Sequence, residues 1–361
     1  MTFPSSSSST ANIIGTGLIG GSLGLALRAR GWRVTGRDHH VARAARALEL
    51  GAIDAVGHDP GAEITFVATP AGAVAEEAVV ALKSATHSGA VVTDVAGVKA
   101  PIVRAIDDPR FVGGHPMTGS EQEGIGGADA TLFAGATWVL TPTESTDPAA
   151  YARLLAVVSS LGAEVVAMPA ERHDELVAIV SHVPHLTAAA LMTMAAEAGE
   201  EHATLLRLAA GGFRDMTRVA AGHPGIWPDI CVENRVGITQ TLDQLVDALA
   251  RLRGLVATGD RRSILDVLER AREARVNLPA RAPQPEDMVE IRIPVPDRPG
   301  VLAEVTTLLG ELGTNIFDLE IAHSVEGTGG VLLLAIAADQ ADLAGGALWA
   351  RGYKPAIRQL G

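Results

Sequence analysis

Ile13-Ile14-Gly15-Thr16-Gly17-Leu18-Ile19-Gly20-Gly21-Ser22-Leu23 decides the fold. It reads as the end of a strand, a tight glycine turn and the start of a helix. Gly15, Gly17 and Gly20 have the spacing G-x-G-x-x-G. The first glycine permits the turn, the second lets the backbone approach a pyrophosphate, and the third lets the helix pack on the strand. Leu18 and Ile19 open that helix, where unpaired N–H groups and a partial positive charge suit phosphate. Leu18, Ile19, Leu23, Leu25, Ala26 and Leu27 supply its apolar face, and Gly31 can close it. A second strand follows, ending in Arg37-Asp38. Asp38 lies about 20 residues past the loop, where an acid accepts hydrogen bonds from an adenosine ribose. An ordinary glycine turn is the alternative, but strand, helix and acid together point to NAD. Asp38 repels a 2′-phosphate, while the adjacent Arg37 could soften that preference.

The chain has 361 residues, 47% of them hydrophobic, enough for two or three domains. A net charge of −13 argues against nucleic-acid or membrane-surface partners, although a local arginine can still bind an acidic substrate. Cys231 is the only cysteine, which excludes an intrachain disulfide and a cysteine metal cluster. The serine-rich start, 1–10, has neither the basic region nor the apolar core of a signal peptide. No run looks close to the roughly 18 apolar residues of a membrane helix, so a cytoplasmic protein is expected.

From Asn12 to Met168 short apolar runs alternate with helical patterns. The strands expected are Asn12–Gly15, Arg33–Gly36, Ile64–Ala68, Ala90–Thr93, Phe111–Gly113, Thr137–Thr141 and Glu164–Met168. Such alternation implies an α/β fold with a mostly parallel, doubly wound sheet, whose ligands bind beyond the carboxyl ends of the strands. This Rossmann-type dinucleotide-binding domain is placed at 11–170, with Thr69, at a strand end, beside the cofactor. From 171 to 278 the pattern is all-helical, with helices expected over His173–Ile179, Leu186–Ala198, Asp229–Arg253 and Asp260–Arg275. That composition suggests a substrate and dimerisation domain, hence a homodimer. Pro279, Pro283 and Pro285 mark a linker, and 288–361 reads as a small α+β domain.

His115 is the sharpest chemical candidate. It is expected to follow a strand and Gly113-Gly114, and it precedes Pro116. A neutral imidazole there could take a proton from an alcohol as hydride leaves the same carbon; a loop histidine that only hydrogen-bonds is the alternative. His182 and His185 stand three apart around Pro184, which should disturb the turn. They suit substrate contact or polar packing, and a metal would need a third ligand that the spacing does not supply. Arg214, Asp215 and Arg218 follow Gly211-Gly212. A guanidinium fork suits a carboxylate, which Asp215 could help to orient; a surface salt-bridge cluster is the alternative. Trp227 could wall a pocket or fill a core. The three lysines are Lys83, Lys99 and Lys354, so the helical domain lacks the catalytic lysine of β-hydroxyacid dehydrogenases. The residue four past Tyr151 is Leu155, not the lysine of short-chain dehydrogenases.

The glycine loop with Gly20-Gly21-Ser22, His115-Pro116-Met117, Ser181-His182-Val183-Pro184-His185, and Gly211 to Arg218 with Trp227 together resemble the prephenate dehydrogenase family. The likeness spans about 11–277. Residues 288–361, with Asp297-Arg298-Pro299-Gly300 before a helix, resemble an ACT regulatory domain of ferredoxin-like fold. The resemblance implies NAD(P)-linked oxidative decarboxylation of prephenate to 4-hydroxyphenylpyruvate, or of arogenate to tyrosine, without a metal. It implies His115 as the catalytic histidine and Arg218 as the substrate-carboxylate arginine. His185, Asp215, Trp227 and, more loosely, Ser120 and Glu121 are implied at the substrate pocket, with Arg214 the alternative carboxylate ligand. Tyrosine or another aromatic amino acid is implied at the ACT domain. One position departs: the family often has serine in Asp-x-x-Ser-Val-Lys, where this chain has Gly97. Thr118 or water could supply the missing hydroxyl. That departure keeps a non-catalytic amino-acid sensor open as a rival, and the shared architecture keeps open an imine reductase.

Overall fold

The computed structural model describes residues 9–118, 124–201, 208–222, 224–277, 288–296, 298–323 and 329–359. The expected linker, Ser120, Glu121 and Asp297 lie outside these residues. The chain divides into two compact units, 1–277 and 278–361.

The first unit opens with an eight-stranded sheet. Its strands are β1 (Thr10–Ile14), β2 (Arg33–Arg37), β3 (Ala55–Val56), β4 (Ile64–Val67), β5 (Val91–Asp94), β6 (Phe111–Pro116), β7 (Thr137–Thr141) and β8 (Glu164–Ala167), in the spatial order 3-2-1-4-5-6-7-8. All neighbours run parallel except β6 and β7, which pair antiparallel with His115 opposite Val139. The two-residue β3 escaped the sequence reading because it is too short to show a period. β6 is longer than expected: His115 lies on the strand, not after it. Between the strands lie α1 (Leu18–Arg28), α2 (Val41–Glu49), α3 (Ala71–Ser84), α4 (Ala100–Ala105) and α5 (Pro148–Ser160). Ile13, Leu23, Leu27, Ile64, Phe66 and Trp138 are fully buried in one core. Burying each large apolar side chain stabilises the fold by about 1.5–3 kcal/mol.

Helices follow: α6 (Ala170–Val177), α7 (Val183–Glu201), α8 (Gly211–Thr217), α9 (Trp227–Glu233), α10 (Arg235–Thr258) and α11 (Arg261–Val276). A wide π-helical turn, Ala178–His182, joins α6 to α7. Pro184 therefore does not break the run, because the wider turn before it accommodates the ring and the missing N–H. The helix expected over Asp229–Arg253 is two helices, interrupted at Asn234 with φ −107° and ψ 33°. The expectation about apolar runs also needs correction: Ala170–Gly199 is continuously helical, with a stretch of mean hydropathy 1.5. Its length and composition match a membrane helix, but its start carries buried His173, Asp174 and His182, which bond to His115 on β6, to the start of α4 and to Asn234 before α10. Of that stretch, 28% is buried within the described residues.

The second unit is an antiparallel sheet of β9 (Met288–Pro296), β10 (Ile316–His323), β11 (Gly329–Ala337) and β12 (Ala356–Gln359), ordered 10-11-9-12, with α12 (Val301–Glu311) and α13 (Ala341–Ala350). Residues 289, 291, 293 and 295 of β9 alternate into its core against Val305, Leu309, Leu334 and Leu348. α13 and β12 went unread in the sequence, since Ala341–Ala350 is nearly uniformly apolar and β12 is exposed throughout.

Candidate active site

The glycine loop has the geometry of a phosphate cradle. Gly15 has φ +94°, and a Cβ there would sit 2.4 Å from the Ala68 carbonyl oxygen. A Cβ on Gly20 would strike the Gly15 carbonyl oxygen at 1.9 Å, so strand and helix meet at backbone distance. Nothing lies within 4 Å of a Cβ on Gly17, which leaves open space at the start of α1. The Thr69 hydroxyl, beside this loop, is buried without a hydrogen-bond partner. Asp38 receives the Thr16 N–H at 2.8 Å and its hydroxyl at 3.2 Å, and the His40 N–H at 2.8 Å. These bonds fix the carboxylate at the end of β2, where a ribose would meet it. An open cradle, an unpaired hydroxyl and a fixed acid fit a dinucleotide. Arg37 is engaged by the Glu77 carboxylate through both terminal nitrogens.

Beyond β5 and β6 the strand ends are locked by a buried ion pair that the sequence did not disclose. Lys99 and Asp94 have no exposed side-chain surface, and the ammonium donates to Asp94. It also donates to the Gly114 carbonyl at 2.8 Å, while the Gly114 N–H donates to Asp94 Oδ1 at 3.1 Å. Burial pulls the Lys99 pKa down, opposed by the Asp94 carboxylate. Both peptide groups of Gly114 are thus held by one pair, fixing the backbone just before His115. A Cβ on Gly114 would lie 2.7 Å from the Asp94 carbonyl oxygen and 2.8 Å from Thr93 Oγ1, so only glycine fits.

His115 Nδ1 lies 2.8 Å from Nε2 of His173, and the rings meet edge to face. His173 Nδ1 lies 2.7 Å from Asp174 Oδ1. Asp174 also accepts the N–H groups of Lys99 and Ala100, each at 2.8 Å, at the start of α4. Burial, with His173, Lys99 and His182 adding to it, holds the His115 pKa well below the ordinary imidazole value. The ring is therefore neutral at neutral pH and can accept a proton. Its other nitrogen, Nε2, faces Gly97.

The helical segment continues the site. Asn234, buried at the break between α9 and α10, donates to the Asp174 carbonyl at 2.8 Å and lies 3.2 Å from His182 Nδ1. His182 is lowered to about 4, chiefly by burial. Its ring stands edge-on to Trp227, and Trp227 stacks on His185 with centroids 3.6 Å apart and planes at 13°. A Cβ on Gly222 would lie 3.8 Å from His185 Cε1, which brings the turn after Arg218 beside that stack. The structure thus gathers His115, His182, His185 and Trp227 along one line of contacts. Arg214, Asp215 and Arg218 are exposed on α8 and the turn that follows. Arg214 donates to the Ala209 carbonyl at 3.2 Å. The Thr118 hydroxyl donates to the Leu132 carbonyl at 3.1 Å.

His173, Asp174 and Asn234 were missed as site residues. A signal existed: Ala170, His173, Asp174 and Val177 form the buried i, i+3, i+4, i+7 stripe of α6. Two polar groups on a core-facing stripe require partners, and here those partners are the site.

A doubly wound sheet with a glycine cradle, joined to helices that supply a histidine and tryptophan pocket around a neutral imidazole, defines a dinucleotide-linked dehydrogenase. The nucleotide-binding domain model of prephenate dehydrogenase matches residues 23–167, its dimerization domain model 169–270, and the ACT domain model 289–346. Prephenate dehydrogenase from Bacillus subtilis is 32% identical over 347 residues, covering 91% of this chain and 92% of that one. The structure of prephenate dehydrogenase from A. aeolicus with hydroxyphenyl propionate and NAD+ superposes with a TM-score of 0.70 at 29% identity, covering 75% of this chain and 99% of that one. Synechocystis arogenate dehydrogenase gives 0.64 at 32% identity, covering 74% and 98%. The chain belongs to the prephenate dehydrogenase family and carries an ACT domain.

Proposed function

We propose that this chain catalyses the NAD-dependent oxidative decarboxylation of prephenate to 4-hydroxyphenylpyruvate, in the formation of tyrosine. The observation that carries it is His115, a neutral imidazole fixed on β6 with Nε2 open toward Gly97. NAD, when bound, supplies the acceptor for the hydride from C4. Gly15, Gly17, Leu18, Ile19, Gly20 and Thr69 hold it, and Asp38 takes the ribose hydroxyls. His115 Nε2 accepts the C4 hydroxyl proton as the C–H bond breaks. The bond to the ring carboxylate then breaks, its electron pair restores aromaticity, carbon dioxide leaves, and the proton returns to the phenolate. Arg218 holds a substrate carboxylate, with Arg214 and Asp215 beside it, and His185 stacked on Trp227 walls the pocket. The family resemblance adds Ser120 and Glu121 as substrate contacts.

The working form is a cytoplasmic homodimer. Val236, Val246, Leu249 and Val256 on α10, with Leu265, Leu268 and Val276 on α11, leave large apolar side chains exposed that a second copy would cover. Arogenate is the second substrate reading, favoured by the Synechocystis arogenate dehydrogenase likeness. Absorbance of reduced cofactor, followed with prephenate and arogenate against NAD and NADP, is the test. Turnover with prephenate and NAD is expected to exceed the other pairs. No turnover with any pair would replace this reading with a non-catalytic sensor.

A further inference from the structure

Resting on the proposed role of His115, we infer that His173, held by Asp174, is a positioning residue that fixes the tautomer of His115 with Nε2 unprotonated toward the substrate. The argument runs from the carboxylate outward. Asp174 accepts two backbone N–H groups at 2.8 Å, one on each oxygen, and the His173 ring at 2.7 Å on Oδ1. An ionised carboxylate only accepts, so His173 Nδ1 carries a proton. A neutral His173 then presents a lone pair at Nε2. His115 Nδ1, 2.8 Å away, must donate to it. That assigns the proton of neutral His115 to Nδ1 and leaves the lone pair at Nε2, on the side of Gly97.

The groups facing His115 are His173 from α6, His182 from the π-helical turn, and Lys99, whose ammonium is already buried against Asp94. A cationic His173, paired with Asp174, would donate from both ring nitrogens and reverse the order, and the spectrum below distinguishes the two. The relay also crosses two structural layers. His115 sits on β6, whereas His173 and Asp174 sit on α6, and the bonds that orient Asp174 come from the start of α4. The correct tautomer therefore forms only where α6 is seated on the sheet.

The test is the nitrogen spectrum of the full-length protein with 15N-labelled histidine, using long-range proton–nitrogen correlations. The His115 signals are identified by their loss in His115→Asn. The expected wild-type result is a protonated Nδ1 and an unprotonated Nε2. A protonated Nε2 in neutral His115 overturns the inference, and this measurement needs no variant of His173. Kinetics gives a second arm. His173→Leu removes the acceptor and is expected to lower kcat by about 10²-fold or more with little change in KM, the scale of a lost proton acceptor. His173→Gln places an amide oxygen near the former Nε2 and is expected to restore about tenfold of that loss. An unchanged kcat in a folded His173→Leu protein counts against the inference, as does a Gln variant no better than Leu. Wild-type kcat in His115→Asn would remove the base itself, whatever the tautomer. A reversed tautomer with an inactive His115→Asn would remove only the relay.

Discussion

Gly97 stands directly against the open nitrogen of His115: a Cβ built on it would lie 3.7 Å from Nε2 and 3.8 Å from Cε1. That is ordinary van der Waals contact, so a serine fits without displacing the ring. Its hydroxyl would reach both Nε2 and the substrate hydroxyl. Gly97→Ser is expected to fold and to raise kcat/KM for prephenate by roughly 2- to 10-fold, the worth of one hydrogen bond. A loss of activity in the folded variant would mean that this space is used by the substrate itself.

The acidity of His115 sets a pH dependence. Its pKa is lowered by burial, so the neutral, proton-accepting form persists below the usual imidazole range. The acid limb of kcat should therefore lie below pH 6.5, and in His115→Asn it should vanish along with about 10²- to 10⁴-fold of the rate. His182 imposes a separate limit. Its folded pKa, about 4, is below the ordinary imidazole value of 6.5. Stability from its neutral form is complete above 6.5 and is lost as pH falls through about 4. Circular dichroism at each pH separates unfolding from titration of the base. An acid limb near 6.5 in a folded protein would contradict the lowered pKa of the half-buried imidazole.

Cofactor choice rests on Asp38 and on what occupies Arg37. Asp38→Ser removes the ribose acceptor and the repulsion of a 2′-phosphate. KM for NAD should rise about tenfold, with relative use of NADP improved. Glu77→Gln in the same background frees Arg37 from its ion pair and should improve NADP use further. Wild-type preference for NADP would overturn this account of β2.

Much of this could be read in the sequence because it rests on local rules. The glycine loop, Asp38 and the helix that follows lie within one βαβ unit, where spacing dictates geometry. The histidine after two glycines was legible as a site, but its place on β6 was not. β6 is extended by antiparallel pairing with β7, a long-range contact. Most of the buried network stayed hidden for the same reason, although Asp94 and Lys99 are only five residues apart. Lys99 bonds Asp94 and Gly114, and Asp174 bonds residues 75 and 74 positions away. The stripe of α6 marks His173 and Asp174 as buried, but no local pattern names their partners. Asn234 falls inside the helix expected over Asp229–Arg253, and it donates to the Asp174 carbonyl at the break there.

Arg218 tests the carboxylate site. A bidentate guanidinium contact is hard for lysine to copy. Arg218→Ala should raise KM for prephenate roughly 10- to 100-fold, with Arg218→Lys recovering part of it. An unchanged KM would move the carboxylate to Arg214.

The ACT unit supplies the last prediction. Gly300, at φ +86°, turns the chain into α12, whose first N–H groups suit an amino-acid carboxylate. Arg298 is tied to Glu304 at 2.7 Å across that turn, and Asn315 lies exposed before β10. A ligand there inhibits only if it binds one conformation of the enzyme better than another. Tyrosine, the end product of the proposed pathway, is expected to bind and to lower activity. The competing expectation is a domain that only strengthens the dimer, with no ligand. Tyrosine titration of the full-length enzyme is compared with a variant lacking residues 285–361, with calorimetry on the full chain as the binding readout. Inhibition that disappears on deletion supports the ACT site. Inhibition that survives unchanged places tyrosine in the active site instead, where its phenol ring would mimic the product.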